Sequence, residues 1–145
     1  MNQKTEIIPI IGDEFSKIVI PEIKNAKNSI KIIVFDWRWY PTQIGNPAQQ
    51  FNQEIINAHR RGVEVLAITN IKETRRILNE AKIKAKNLIS ARILHPKIMI
   101  IDNQHLIIGS HNYTQNAFTT NYEASILIKN CPNIERYIQF FKNLY

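Results

Sequence analysis

The stretch from His95 to Asn112 constrains this chain more than any other part of it. It reads HPKIMIIDNQHLIIGSHN, two short apolar runs flanked by polar residues and parted by Asp102, Asn103 and Gln104. Apolar runs of that length bounded by turn formers read as strands. Strands are therefore predicted at Pro96 to Asp102 and His105 to Gly109, with the Asp-Asn pair turning between them. Side chains alternate faces along a strand, so His95 and Lys97 project to one side. Ser110 and Asn112 share the same two-residue spacing after Gly109, which brings a hydroxyl and a carboxamide near that side. Asp102 falls at odd spacing from both His95 and Lys97. It points to the other face or lies just past the strand end, in a structural or supporting role rather than a direct one.

The rest of the chain alternates strand and helix signals. Glu6 to Ile10 reads as a first strand. Phe15, Ile18, Val19 and Ile23 recur at helical spacing, with Pro21 predicting a break or kink. Ser29 to Asp36 is a near-continuous apolar run, as in a strand covered on both faces. Asn46 and Pro47 open a helix that Gly62 closes after Arg61. Val63 to Thr69 is a strand, and Ile71 to about Lys84 a basic amphipathic helix. Strands near Leu88 to Leu94 and at Tyr122 to Ile128 follow, then a helix from Asn133 to Leu144. This order predicts an α/β fold, a mixed sheet with helices on both faces. With no linker or repeat across 145 residues, a single domain over 1–145 is expected.

The 19 Lys and Arg outnumber the 12 Asp and Glu, a net charge of +7 that favours an anionic partner, nucleic acid or a phospholipid surface. Cys131 is the only cysteine, so neither an intrachain disulfide nor a cysteine metal cluster can form. No histidine pair has metal-ligand spacing, and neither metal nor cofactor is expected. No apolar run reaches the ~20 residues of a membrane span, and the amino terminus lacks a signal-like run. A cytoplasmic chain is expected, or a secreted or periplasmic one if a leader has been trimmed. Peripheral lipid contact stays open.

The pattern H-x-K-x4-D-x6-G-S-x-N, with Glu123 downstream, resembles the signature of the phospholipase D superfamily, whose members cleave phosphodiesters through a histidine nucleophile. The resemblance implies that family's mixed-sheet fold and a reaction without metal. It implies a catalytic set of His95, Lys97, Ser110, Asn112, Glu123 and Asp102. His95 would attack phosphorus, while Lys97 and Asn112 would hold the non-bridging oxygens. Ser110 would donate a hydrogen bond or brace the turn. Glu123 would hold the far ring nitrogen of His95. A second histidine is needed to protonate the leaving alkoxide, and no second H-x-K exists in the chain. Small single-motif relatives pair two chains, so a homodimer with a shared pocket is expected.

Two segments could bind substrate. In Asp36 to Pro47, Trp37, Arg38, Trp39 and Tyr40 interleave aromatic and basic groups, which suits base stacking with phosphate contact. The same residues also suit a membrane interface, or simple packing. The helix and loop carrying Lys72, Arg75, Arg76, Lys82, Lys84, Lys86 and Arg92 read as a phosphate track or a solvated face. Within these, Trp37, Arg38, Trp39, Arg75 and Arg76 are the candidate substrate-binding residues. The favoured activity is a nuclease, with single-stranded DNA foremost. A phospholipase is the alternative, and a nucleic-acid-binding module with an inactive site comes third.

Overall fold

The computed structural model describes residues 3–145. Its strands are β1 (Glu6–Ile11), β2 (Ser29–Ile33), β3 (Glu64–Ile68), β4 (Lys84–Lys86), β5 (Ile98–Ile101), β6 (His105–Gly109) and β7 (Ala124–Lys129). Its helices are α1 (Phe15–Asn25), α2 (Pro47–Arg60), α3 (Lys72–Glu80), α4 (Gln115–Thr119) and α5 (Ile134–Leu144). All seven strands join one sheet in the order β1-β7-β6-β5-β2-β3-β4. The β2–β3 and β3–β4 pairs are parallel and the other four antiparallel, so the sheet is mixed.

Alternation sorts the side chains of β5 between two cores. Met99 and Ile101 join the core beneath α1, α2, α3 and α4, while Ile98 and Ile100 join the one beneath α5. Helices cover both faces, as the pattern of elements predicts. Ile98 pairs with Ile33 on one side and Ile108 on the other, and Gly109 pairs with Ser125. One end of the sheet thus collects the ends of β2 and β6 with the starts of β5 and β7. Everything with candidate chemistry, Asp102 excepted, hangs from that end.

Several boundaries differ from the sequence expectations. Pro21 sits inside α1 without ending it. Its ring lies on the exposed side of the helix, where the lost backbone bond leaves a carbonyl to solvent. The strand from Ser29 stops at Ile33; Val34 still donates to the Ile68 carbonyl, and Asp36 and Arg38 then bond to Tyr113. α3 ends at Glu80, and Lys84–Lys86 form a short edge strand with Ala85 inward and both lysines outward. Three residues give too little alternation to read, and edge lysines discourage further pairing. No strand forms at Leu88 to Leu94, where Ile89 and Ile93 are exposed, Leu94 enters the core and Leu88 packs half-buried against it. α4 was not expected; it begins at the Thr114 cap, whose Oγ1 accepts the Ala117 N–H. The strand predicted from Tyr122 begins at Ala124, and Tyr122 is fully exposed one residue before Glu123.

Candidate active site

His95 and Lys97 lie in the extended approach to β5 rather than in the strand itself. His95 is exposed, and the Lys97 ammonium donates to the His95 carbonyl at 2.8 Å. Across the β5–β6 pair, Gly109 delivers Ser110 and Asn112 to the same end. A Cβ on Gly109 would stand 2.3 Å from the Ser125 Cα, so only glycine lets β6 approach β7 this closely.

Ser110 is tied three ways to the start of β7 and the residue before it. Its N–H donates to the Ala124 carbonyl at 3.0 Å, and its Oγ accepts the Ala124 N–H at 3.0 Å. The hydroxyl then donates to Glu123 Oε1 at 2.6 Å. Asn121 Nδ2 donates to Glu123 Oε2 at 3.1 Å, so both carboxylate oxygens have a partner. Glu123 was expected to hold the His95 ring; its hydrogen-bond partners among the described residues are Ser110 and Asn121. Ser110 accordingly acts as the brace of Glu123, with its proton committed there.

Asn112 is half-buried between Ser110 and Tyr113, and Tyr113 is stitched to the loop after β2 through Tyr113 N–H to Asp36 O and Arg38 N–H to Tyr113 O. The Asn112 Oδ1 is buried and accepts no hydrogen bond among the described residues, a cost of about 1–3 kcal/mol. His111, between them, turns into the core. Its Nε2 lies 2.8 Å from the Gly12 carbonyl and its Nδ1 2.6 Å from Ser125 Oγ. A carbonyl can only accept, so Nε2 carries the proton and Nδ1 accepts from Ser125. Burial lowers the His111 pKa, opposed by the Gly12 hydrogen bond and the nearby Glu123 charge.

Asp102 stands apart. The β5–β6 register puts it at the far end of the hairpin from His95, where Asp102 and Asn103 both adopt positive φ, 55° and 52°. That is the backbone of a type I′ turn, which Asp and Asn tolerate. Its carboxylate accepts the backbone N–H groups of Lys27, Asn28 and Ser29 at 2.7–3.1 Å. Asp102 is removed from the catalytic set by this placement, and its work is to tie the hairpin to the start of β2.

Among the candidate substrate-binding residues, Trp37 is corrected outright. It is fully buried, with Nε1 donating to Asn52 Oδ1 at 2.7 Å, because the loop after β2 folds inward onto Phe51 and Tyr113. Trp39 is half-buried and stacks on Trp37. Arg38 is exposed and paired with Asp36 at 2.5 Å. Arg75 lies in the second turn of α3 at the site end of the sheet, with its guanidinium donating to the Thr69 carbonyl at 2.9 Å. Arg76 is held by Glu73 and Glu80, which raise its pKa. Arg76 is thus paired with two carboxylates, while Arg75 donates to a neutral carbonyl and keeps its charge. No cluster of three or more His, Cys, Asp or Glu has metal-binding geometry among the described residues. Among the same residues no helix is long and apolar enough to cross a membrane.

Sequence reasoning missed a polar recess of about 410 Å³ beside Asn112, lined by Asp36, Arg38, Asn112, Gln115, Asn116 and Asn121. Only the run of amides from Asn112 to Asn121 signalled it.

Comparison with known proteins places these features. Residues 19–145 match the family model described as "Cardiolipin synthase, PLD-like domain". A phospholipase D of Rickettsia prowazekii is 32% identical over 130 residues, covering 86% of this chain and 59% of that protein. The chain thus spans about three-fifths of the length of that relative. A 5′-3′ exonuclease PLD3 of Xenopus laevis is 29% identical over 125 residues, covering 75% of this chain and 25% of that protein. The fold superposes on Nuc from Salmonella typhimurium, a phospholipase D family member, with a TM-score of 0.82 at 22% identity, over 97% of this chain and 94% of that one. By family match and fold together, the chain belongs to the phospholipase D superfamily, a family of phosphodiesterases.

Proposed function

We propose that this chain is a metal-independent phosphodiesterase that cleaves nucleic acid, single-stranded DNA foremost, through a phosphohistidine on His95. The observation that carries this reading is the gathering of His95, Lys97, Ser110, Asn112 and Glu123 at one sheet end. An imidazole nitrogen of His95 attacks phosphorus, and the bond from phosphorus to the departing oxygen breaks. Lys97 and the Asn112 amide neutralise the charge that builds on the non-bridging oxygens. Water then attacks the phosphohistidine, releasing the phosphate ester and regenerating the imidazole.

The departing alkoxide needs a proton that a phosphorylated His95 cannot give. We infer that His95 of a second copy supplies it across a two-fold axis. Exposed apolar side chains around the site support a self-complementary face: Tyr122 beside Glu123, Ile93 just before His95, and Phe35 beyond β2. Net charge of +7 and the exonuclease name of the Xenopus relative favour nucleic acid. The phospholipase D name of the Rickettsia relative favours a phospholipid as the second reading.

The test is one buffer series containing excess EDTA, with single-stranded DNA, duplex DNA, RNA and phosphatidylcholine vesicles as substrates. Nucleic-acid cleavage that persists in EDTA is expected. Lipid cleavage without nuclease activity overturns the reading. Sedimentation is expected to give a dimer, and a fully active monomer contradicts the shared site.

A further inference from the structure

Gln115 and Asn116 open α4, yet the core needs only Ala117 and Phe118 from that helix. Their exposed carboxamides make no hydrogen bond among the described residues, and both face the recess that Asn112 also lines. The recess is held in shape by neighbours. The Tyr40 hydroxyl accepts the Gln115 N–H at 2.9 Å, and the Asn121 and Thr120 N–H groups close on the Asn116 carbonyl at 2.8 and 3.0 Å.

The chemistry of this wall selects its occupant. Its only formal charges, Asp36 and Arg38, pair with each other at 2.5 Å, so no free cation awaits a phosphate. Its walls are too polar for an acyl chain. Carboxamides offer a donor and an acceptor side by side, the pattern that matches the edge of a nucleobase. Asn112 joins the recess to the reacting centre, and Asn121 joins it to Glu123. The volume of about 410 Å³ lies in the range of small-ligand sites.

We infer that this recess is a nucleobase subsite, which takes the unpaired base of a nucleotide attached to the scissile phosphate. The inference rests on the nuclease reading above and gives it a cause for strand preference. A base within a duplex has its pairing edge occupied and its faces stacked, so only a single strand or a frayed end can deliver it.

Two measurements test it on the full chain. The first uses His95→Ala protein, which leaves the ligand intact, with a short oligothymidylate and the same backbone carrying tetrahydrofuran at every base position. The base-bearing strand is expected to bind about tenfold tighter, and the added pair Gln115→Ala and Asn116→Ala to remove most of that difference. The second compares kcat/KM for the p-nitrophenyl ester of thymidine 5′-phosphate with that for bis(p-nitrophenyl) phosphate. The ratio is expected to fall about tenfold in the Gln115→Ala, Asn116→Ala protein, mainly through KM. Equal binding of the two strands, or a ratio unchanged by the substitutions, overturns the subsite while leaving DNA cleavage intact. Base-dependent binding by a wild-type protein that cleaves no nucleic acid overturns the nuclease reading and keeps the recess as a base-binding site.

Discussion

Ser110 donates to Glu123 at 2.6 Å while accepting the N–H of Ala124, the residue that follows Glu123 in the chain. One hydroxyl thereby fixes a carboxylate against the strand that carries it. Ser110→Ala removes both bonds at once and leaves the Glu123 carboxylate held by Asn121 alone. A misplaced supporting group costs on the order of tenfold to a hundredfold in rate. The loss is expected in kcat for bis(p-nitrophenyl) phosphate, with KM little changed and with Asn121→Ala giving a smaller loss. A Ser110→Ala enzyme at wild-type kcat contradicts the bracing role.

The motif aspartate is expected to matter for stability rather than chemistry. Asp102→Ala removes an acceptor of three backbone N–H groups and places alanine at positive φ. A loss of about 1–3 kcal/mol is expected in urea unfolding. Asp102→Gly, which accepts the backbone angle, should lose less. At a temperature where each variant is folded, kcat should stay within about twofold of wild type.

Gly109→Ala should be as disruptive as a core error, although the site is near the surface. The new methyl meets the Ser125 Cα and Oγ, so β6 and β7 must part where Ser110 is aimed. Destabilisation of about 1–3 kcal/mol is expected. Activity should drop beyond what the unfolded fraction explains, and relief by the further change Ser125→Gly would confirm the clash.

Stability should fall with acid through His111. Its folded pKa is lowered, first by burial, so the unfolded imidazole takes up a proton at a higher pH than the folded one. Stability from this group is therefore complete above the unfolded value of about 6.5 and declines as pH falls below it. His105 is shifted the same way by burial and adds to the slope. Urea midpoints between pH 8 and pH 5 should show the decline, and His111→Gln should flatten part of it. An unchanged slope in that variant contradicts the assignment of His111 as buried and neutral.

What the sequence disclosed followed from periodicity and spacing. The apolar runs around Met99 and Ile107, parted by Asp102 and Asn103, specify a hairpin whose two polar flanks must share an end. Odd spacing likewise placed Asp102 away from His95. Trp37 misled because an aromatic-basic loop reads alike whether it faces solvent or folds inward. Its burial depends on Phe51 and Asn52 in α2 and on Tyr113, contacts distant in sequence. Composition counts charges and cannot show that Glu73 and Glu80 pair with Arg76 while Arg75 donates to the Thr69 carbonyl. α4 is too short, at five residues, for periodicity to reveal.

The covalent step tests the central claim most directly. Single-stranded DNA carrying a phosphorus label, mixed with enzyme in EDTA and quenched within a turnover, should leave label on the protein. The adduct should be acid-labile and base-stable, map to the peptide containing His95, and be absent from His95→Ala. Cleavage that proceeds in His95→Ala, or wild-type cleavage that stops in EDTA and returns with magnesium, would contradict it.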